Sequence, residues 1–194
     1  MDSDKHRNEL RQKLIESAAK VVYTYTTHWK MVDHLEKKNW NIKIDQIVFT
    51  GIASCGLLST IFNNCSCLPV IGGFFAFLSL SINLYSLHFN LPDKIKQHTD
   101  AANELWIIRE SYISLITDFC TLSSEEIRNK RDKLTERVSY VNKHYPGTDA
   151  RSYEEARKAL QQQEEQTFNE GEAEKILNLE TNSCSNKGSV KQIV

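Results

Sequence analysis

Between Asp45 and Asp93 the chain carries no formal charge. None of the 47 residues in that interval is Asp, Glu, Lys or Arg, although these types make up 25% of the 194-residue sequence. Helix breakers are scarce as well: there are three prolines and seven glycines, and none of either before Gly51. No stretch of useful length alternates apolar and polar residues, and no internal repeat is present, which argues against strands. Phosphate loops, G-x-G-x-x-G, H-E-x-x-H and G-x-S-x-G are missing, so the chain reads as a non-enzyme. The cysteines, Cys55, Cys65, Cys67, Cys120 and Cys184, are odd in number and lack framework spacing. The net charge of −1 gives no broad field toward nucleic acid or anionic lipid. No basic patch interleaved with aromatics is present either, so direct nucleic-acid binding is not expected. No cofactor or metal is implied.

What the uncharged interval does contain is length. A bilayer core about 30 Å thick needs roughly 20 apolar residues in a helix. The interval fits two such spans and a turn, at about residues 44–62 and 69–91. The turn is Asn63-Asn64-Cys65-Ser66-Cys67, followed by Pro69. A mean hydropathy of −0.46 averages this apolar hairpin with its polar flanks. The alternative, a buried helical hairpin of a soluble protein, would require a much larger soluble shell. The bilayer is therefore the first expected partner.

Residues 1–20 are polar and lack the apolar segment of a signal peptide, so the hairpin itself must direct insertion. Lys37, Lys38 and Lys43 flank the first span, and Lys94 and Lys96 the second, whereas the connecting loop has no charge. The positive-inside bias then places both termini in the cytoplasm, with Trp40 as an interfacial anchor.

Four regions follow: a long amphipathic helix over 1–43, the hairpin over 44–91, a helical domain over 92–160 and a polar tail over 161–194. In the first, Leu10, Leu14, Ala18, Val21 or Val22, Tyr25, Trp29 and Val32 recur at helical spacing. The helix runs into the first span, with a candidate break at Asn39-Trp40-Asn41. Pro92 and Asp93 mark a helix restart, and Leu105, Ile108, Tyr112, Leu115, Ile116 and Phe119 share a face after it. Ser123 with Glu126 reads as a capping box, and Ser152 with Glu155 as a second one. Tyr145-Pro146-Gly147 ends the helix between them. The tail, QQQEEQ and beyond, reads as mobile, with a helical turn expected around Ile176-Leu177. The fold class is all-α.

The second span holds the most informative pattern. Gly72, Ala76, Ser79, Asn83, Ser86 and Asn90 follow spacings of 4, 3, 4, 3 and 4, one stripe of small and polar residues. Phe74, Phe75, Phe77, Leu78, Leu80, Leu84 and Leu87 lie opposite. Amides and hydroxyls at membrane depth face protein or water rather than lipid. The stripe is either a helix–helix interface or the lining of a water-filled path. One hairpin has no interior, so a path requires several copies around an axis, a homo-oligomer.

Other chemistry-bearing residues have plainer readings. Gly51-Ile52-Ala53-Ser54-Cys55-Gly56 supplies packing residues within a span rather than a phosphate loop. Cys65-x-Cys67 lacks the further ligands of a metal site. His28 and His34 read as packing or surface residues. His98, with Asp100 and Glu104, reads as a solvated juxtamembrane face, with a pH-sensitive gate as the sharper option. Arg109 and Glu110 read as a structural ion pair.

The arrangement resembles the SLATT-domain proteins, bacterial two-transmembrane effectors. The resemblance rests on His28-Trp29, Lys43-Ile44-Asp45 before the uncharged hairpin, and His98-Thr-Asp-Ala-Ala-Asn-Glu-Leu-Trp106. It continues through Arg109-Glu-Ser-Tyr112, the Arg128–Tyr145 helix and Tyr153-Glu-Glu-Ala-Arg-Lys-Ala-Leu160. It implies an inner-membrane effector of antiphage defence that oligomerises and forms a pore, stopping the infected cell by abortive infection. It also implies a separate activating partner: a producer or sensor of a nucleotide signal, or a defence-associated reverse transcriptase. No fused sensor, nucleotidyltransferase or nuclease segment is recognisable in the sequence. The alternative is a membrane-anchored helical scaffold that docks a partner without conducting ions, and a membrane-embedded enzyme ranks last.

Overall fold

A computed structural model describes residues 2–62 and 67–163. All regular structure among them is helical: α1 (Asp2–Phe62), α2 (Cys67–Phe89), α3 (Leu91–Thr117), α4 (Ser124–His144) and α5 (Ala150–Gln161). A short 3-10 turn, Asp118–Cys120, closes α3. The Asn63–Ser66 turn and the tail beyond residue 163, with its expected turn at Ile176-Leu177, lie outside the described residues.

α1 is 61 residues long, about 90 Å at 1.5 Å per residue. With no Gly or Pro in its first 49 positions, nothing interrupts the hydrogen-bond ladder. The break expected at Asn39–Asn41 does not form, because Asn merely lowers helix propensity while Pro and Gly stop a helix. α2 runs back along the second half of α1, and α3 along the first half. Their junction is Asn90, at φ 40 and ψ 56, a left-handed conformation that Asn tolerates better than most residues. Pro92 follows at a position where its missing N–H costs nothing.

The first half of α1, with α3, α4 and α5, forms a helical stem around one core. Leu10, Leu14 and Val21 of α1 meet Leu105, Ile108, Tyr112 and Leu115 of α3 and Ile127, Leu134 and Val141 of α4. Arg7 fastens the start of α1 to the α3–α4 turn. Its guanidinium donates to the carbonyls of Phe119 (2.7 Å) and Leu122 (2.8 Å) and lies 4.9 Å from the centre of the Phe119 ring.

The Ser123 capping box forms with both hydrogen bonds. The second one does not. α5 is capped by Asp149, whose carboxylate accepts from the Ser152 N–H at 2.7 Å. Ser152 is instead buried in the first turn of α5, and Glu155 turns to Arg151 and His34. A box motif read three residues late is the cause: Asp149 is as good a cap as Ser.

The hairpin half has no such core. α1 and α2 are both long and apolar enough to cross a membrane, and only 11% of the most apolar window of each is buried. A soluble core helix would be mostly buried, so the outer faces require an apolar solvent.

Candidate functional site

Two polar clusters sit where this architecture makes them costly, one in the hairpin and one in the stem.

The hairpin cluster is a seam between α1 and α2. Gly56 and Gly72 cross so closely that a Cβ on Gly56 would stand 2.6 Å from the Gly72 Cα. Only glycine at both positions permits this approach. Ala53 is buried beside it. One to two turns along, the Thr50 and Ser79 hydroxyls are 2.8 Å apart. Further toward the stem, the Gln46 side-chain amide donates to the Asn83 carbonyl oxygen, and the Asn83 amide also donates to the Ser79 carbonyl at 3.1 Å. Each polar group thereby finds a partner at a depth where water cannot serve.

The sequence stripe is thus only partly one surface. Gly72, Ser79 and Asn83 face α1, and Ser86 is half-buried on the same side. Ala76 is exposed, rotated out because α1 and α2 meet on a narrower front than the stripe spans. Asn90 lies beyond the end of α2 and forms the left-handed link. What α2-centred periodicity missed was the partner set on α1: Gln46, Thr50, Ala53 and Gly56. They follow spacings of 4, 3 and 3, but Gly51 and Ser54, small residues off that face, obscured it.

The membrane-interface candidates occupy a collar at the top of the stem. Trp40 is 64% exposed, and Lys37, Lys38, Lys43, Lys94 and Lys96 are all exposed. Lys38 lies 5.6 Å from the centre of the Tyr85 ring, and Lys94 lies 5.9 Å from that of Phe89.

The stem cluster joins α1, α3 and α5. His98 is buried, not solvated, and its Nδ1 lies 2.9 Å from the Nδ1 of buried His28. The two rings can share one proton on that line. One histidine must be the Nδ1–H tautomer and the other an acceptor; double protonation would set two N–H groups against each other. Burial, then the neighbouring His98, lowers the His28 pKa to about 4. Burial also lowers that of His98, with Asp149 opposing and Lys94 reinforcing the shift. Both rings are therefore neutral at neutral pH, which argues against the His98 gate. Neither Asp100 nor Glu104 pairs with His98; Glu104 meets Arg137 at 3.4 Å. His34 Nε2 lies 2.8 Å from a Glu155 carboxylate oxygen, tying α1 to α5. Tyr23 adds to this contact, taking a hydrogen bond from the Gln161 amide at 2.8 Å and lying 6.2 Å from the Tyr153 ring. Arg109 and Glu110 pair side by side.

Among the described residues, no group of three or more His, Cys, Asp or Glu side chains could hold a metal ion. Cys55 and Cys120 are free thiols, Cys67 is exposed, and Cys65 lies outside the described residues. The arrangement offers interhelical hydrogen bonds at membrane depth and a tightly held stem, rather than a cluster of reactive groups.

Comparison with known proteins agrees with this geometry. Residues 10–172 match the model of the SMODS and SLOG-associating 2TM effector domain family 4, a SLATT family. That range covers most of the chain, including the stem and hairpin, and the chain belongs to this family of two-transmembrane effectors. No curated protein and no solved structure matches it.

Proposed function

We propose that, as a member of this effector family, the chain is the membrane-acting component of a bacterial antiphage system. It resides in the inner membrane with both termini in the cytoplasm. Copies assemble through their stems, and on activation the hairpins rearrange to open a path through the bilayer, ending the infected cell. The single observation that supports this reading is the seam. Gln46, Thr50, Ser79 and Asn83 satisfy one another inside one hairpin, which suits a closed state in lipid. When α2 is drawn from α1, the same groups can face a shared water-filled axis between copies. A separate protein or soluble ligand acting on the stem supplies the trigger.

The lysine collar supports the orientation, since all five lysines lie on the stem side of the hairpin. Thr50 and Ser79 provide a test. In a chain whose native cysteines are replaced by serine, Thr50→Cys and Ser79→Cys are close enough to form a disulfide. The oxidised variant should fail to depolarise bacteria or admit dye, and a reductant should restore both. Equal depolarisation in the oxidised and reduced forms would refute the opening of the seam. Asn83→Leu with Ser79→Leu should likewise abolish conductance while membrane insertion persists.

The scaffold reading draws on a different observation. The outer face of α2 presents large apolar side chains, as a plain anchor requires: Phe74, Phe77, Leu80, Leu84 and Leu87 are all exposed. Replacing the hairpin by an unrelated neutral two-span anchor separates the two. Retained protection against phage would favour the scaffold.

A further inference from the structure

The collar holds a cavity that neither the seam nor the stem uses. It has a volume of about 480 Å³ and lies on the α3-facing flank of α1, at the last turns before the exposed apolar run that starts at Ile44. Its walls are Lys37, Asn39, Trp40, Asn41 and Lys43 of α1, with Ile95 of α3. Glu36 closes its stem end.

Five of these side chains donate hydrogen bonds: two ammonium groups, two carboxamides and one indole. None has a hydrogen-bond or ion-pair partner among the described residues. Lys37, Trp40 and Lys43 are spaced three residues apart, so the two lysines branch from the helix about 4–5 Å before and after Trp40 along its axis. A cavity on the other flank of α1 reads differently. It is also lined by cations, but Lys38 there faces the Tyr85 ring, and Arg151 is held by Glu155 at 3.1 Å. Lys37 and Asn41 border both cavities, whereas Asn39, Trp40 and Lys43 line the Trp40 cavity and not this one.

We propose that this cavity binds the headgroup of an anionic phospholipid from the leaflet facing the stem. A phosphodiester supplies the acceptor oxygens that the five donors lack. Its charge is matched by two lysines against one glutamate. A hydroxylated headgroup such as phosphoglycerol can in addition donate to Glu36. Ile95 and the rim at Ile44 lead the acyl chains into the bilayer. The lipid then bridges α1 and α3 close to the Asn90 junction, where a change in hairpin angle must pass. The proposal requires insertion of the hairpin but not a pore, so it stands or falls independently of conductance.

The test uses the full chain in bilayers of phosphatidylcholine mixed with phosphatidylglycerol, with one or the other lipid brominated at equal mole fraction. Quenching of Trp40 is the fluorescence quenching present in wild type and missing from Trp40→Phe. Lys and Arg near a membrane surface favour anionic lipid, so two lysines offset in part by Glu36 predict a preference on the order of tenfold. Brominated phosphatidylglycerol should therefore quench Trp40 more strongly than brominated phosphatidylcholine. Lys37→Gln with Lys43→Gln should equalise the two, while Lys94→Gln with Lys96→Gln should leave the preference in place. Equal quenching by both lipids in wild type would overturn the proposal. So would an equal loss in the two lysine pairs, which would indicate a diffuse field rather than a site. Circular dichroism of each variant confirms that the helices are retained.

Discussion

Acidification should loosen the stem before it affects the hairpin, and the His28–His98 contact sets the size of the effect. In the folded chain His28 stays neutral down to about pH 4, whereas in the unfolded chain its ring takes a proton near 6.5. Between these values the unfolded state holds more protons, so stability rises with pH and falls as pH drops. The full contribution is present above 6.5 and is gone below about 4. A shift of this size corresponds to roughly 3 kcal/mol over the whole window, and about 2 kcal/mol of it is lost by about pH 5. For a helical domain of modest stability that is a large share. The assay is denaturant or thermal unfolding in detergent micelles, followed by helical circular dichroism from about pH 7 to about pH 5. His28→Leu with His98→Leu removes both rings and should flatten the curve relative to wild type, whatever the other histidines contribute. The single His28→Leu variant leaves His98 without its acceptor or donor and should be less stable than wild type at neutral pH. Parallel pH slopes in wild type and the double variant would refute the reasoning.

Three further outcomes follow from particular contacts. Gly56→Ala places a Cβ 2.6 Å from the Gly72 Cα; the helices must part, at a cost of about 1–3 kcal/mol, and disulfide formation between cysteines at 50 and 79 should fall sharply. Gly51→Ala meets open space and should leave that cross-link unchanged. Arg7→Ala removes two bonds to part-buried carbonyls and a ring contact, and the melting temperature of the stem should drop by an amount equivalent to about 2 kcal/mol. Asp149→Ala removes the cap of α5 at about 1 kcal/mol, and hydrogen exchange in residues 150–161 should accelerate while α3 stays protected.

The uncharged interval made the two apolar helices legible because burying a charge in hydrocarbon is too costly to disguise. Helical spacing likewise exposed the stem core, since Leu105, Ile108, Tyr112 and Leu115 form one stripe whatever they pack on. The capping box at Ser123 was equally local. The Ser152 box failed because two competent caps, Asp149 and Ser152, stand three residues apart, and only the docking of α5 on α1 chooses between them. The Asn39–Asn41 break failed because asparagine lowers helix propensity without stopping a helix.

By itself the sequence determined that this is an all-helical chain with two apolar helices and a helical remainder. Those properties follow from periodicity and from the missing charge, and both are written along the chain. Only the tertiary structure decided the pairings. It turned half of the polar stripe of α2 onto Gln46, Thr50 and Gly56, and it brought His28 against His98 across 70 positions. It also left the donors around Trp40 without partners. Hydrogen-bond partners and close crossings depend on which residue of one helix stands opposite which residue of another. Helical periodicity leaves that register open, and it is set by the left-handed link at Asn90 and the fit of Gly56 against Gly72.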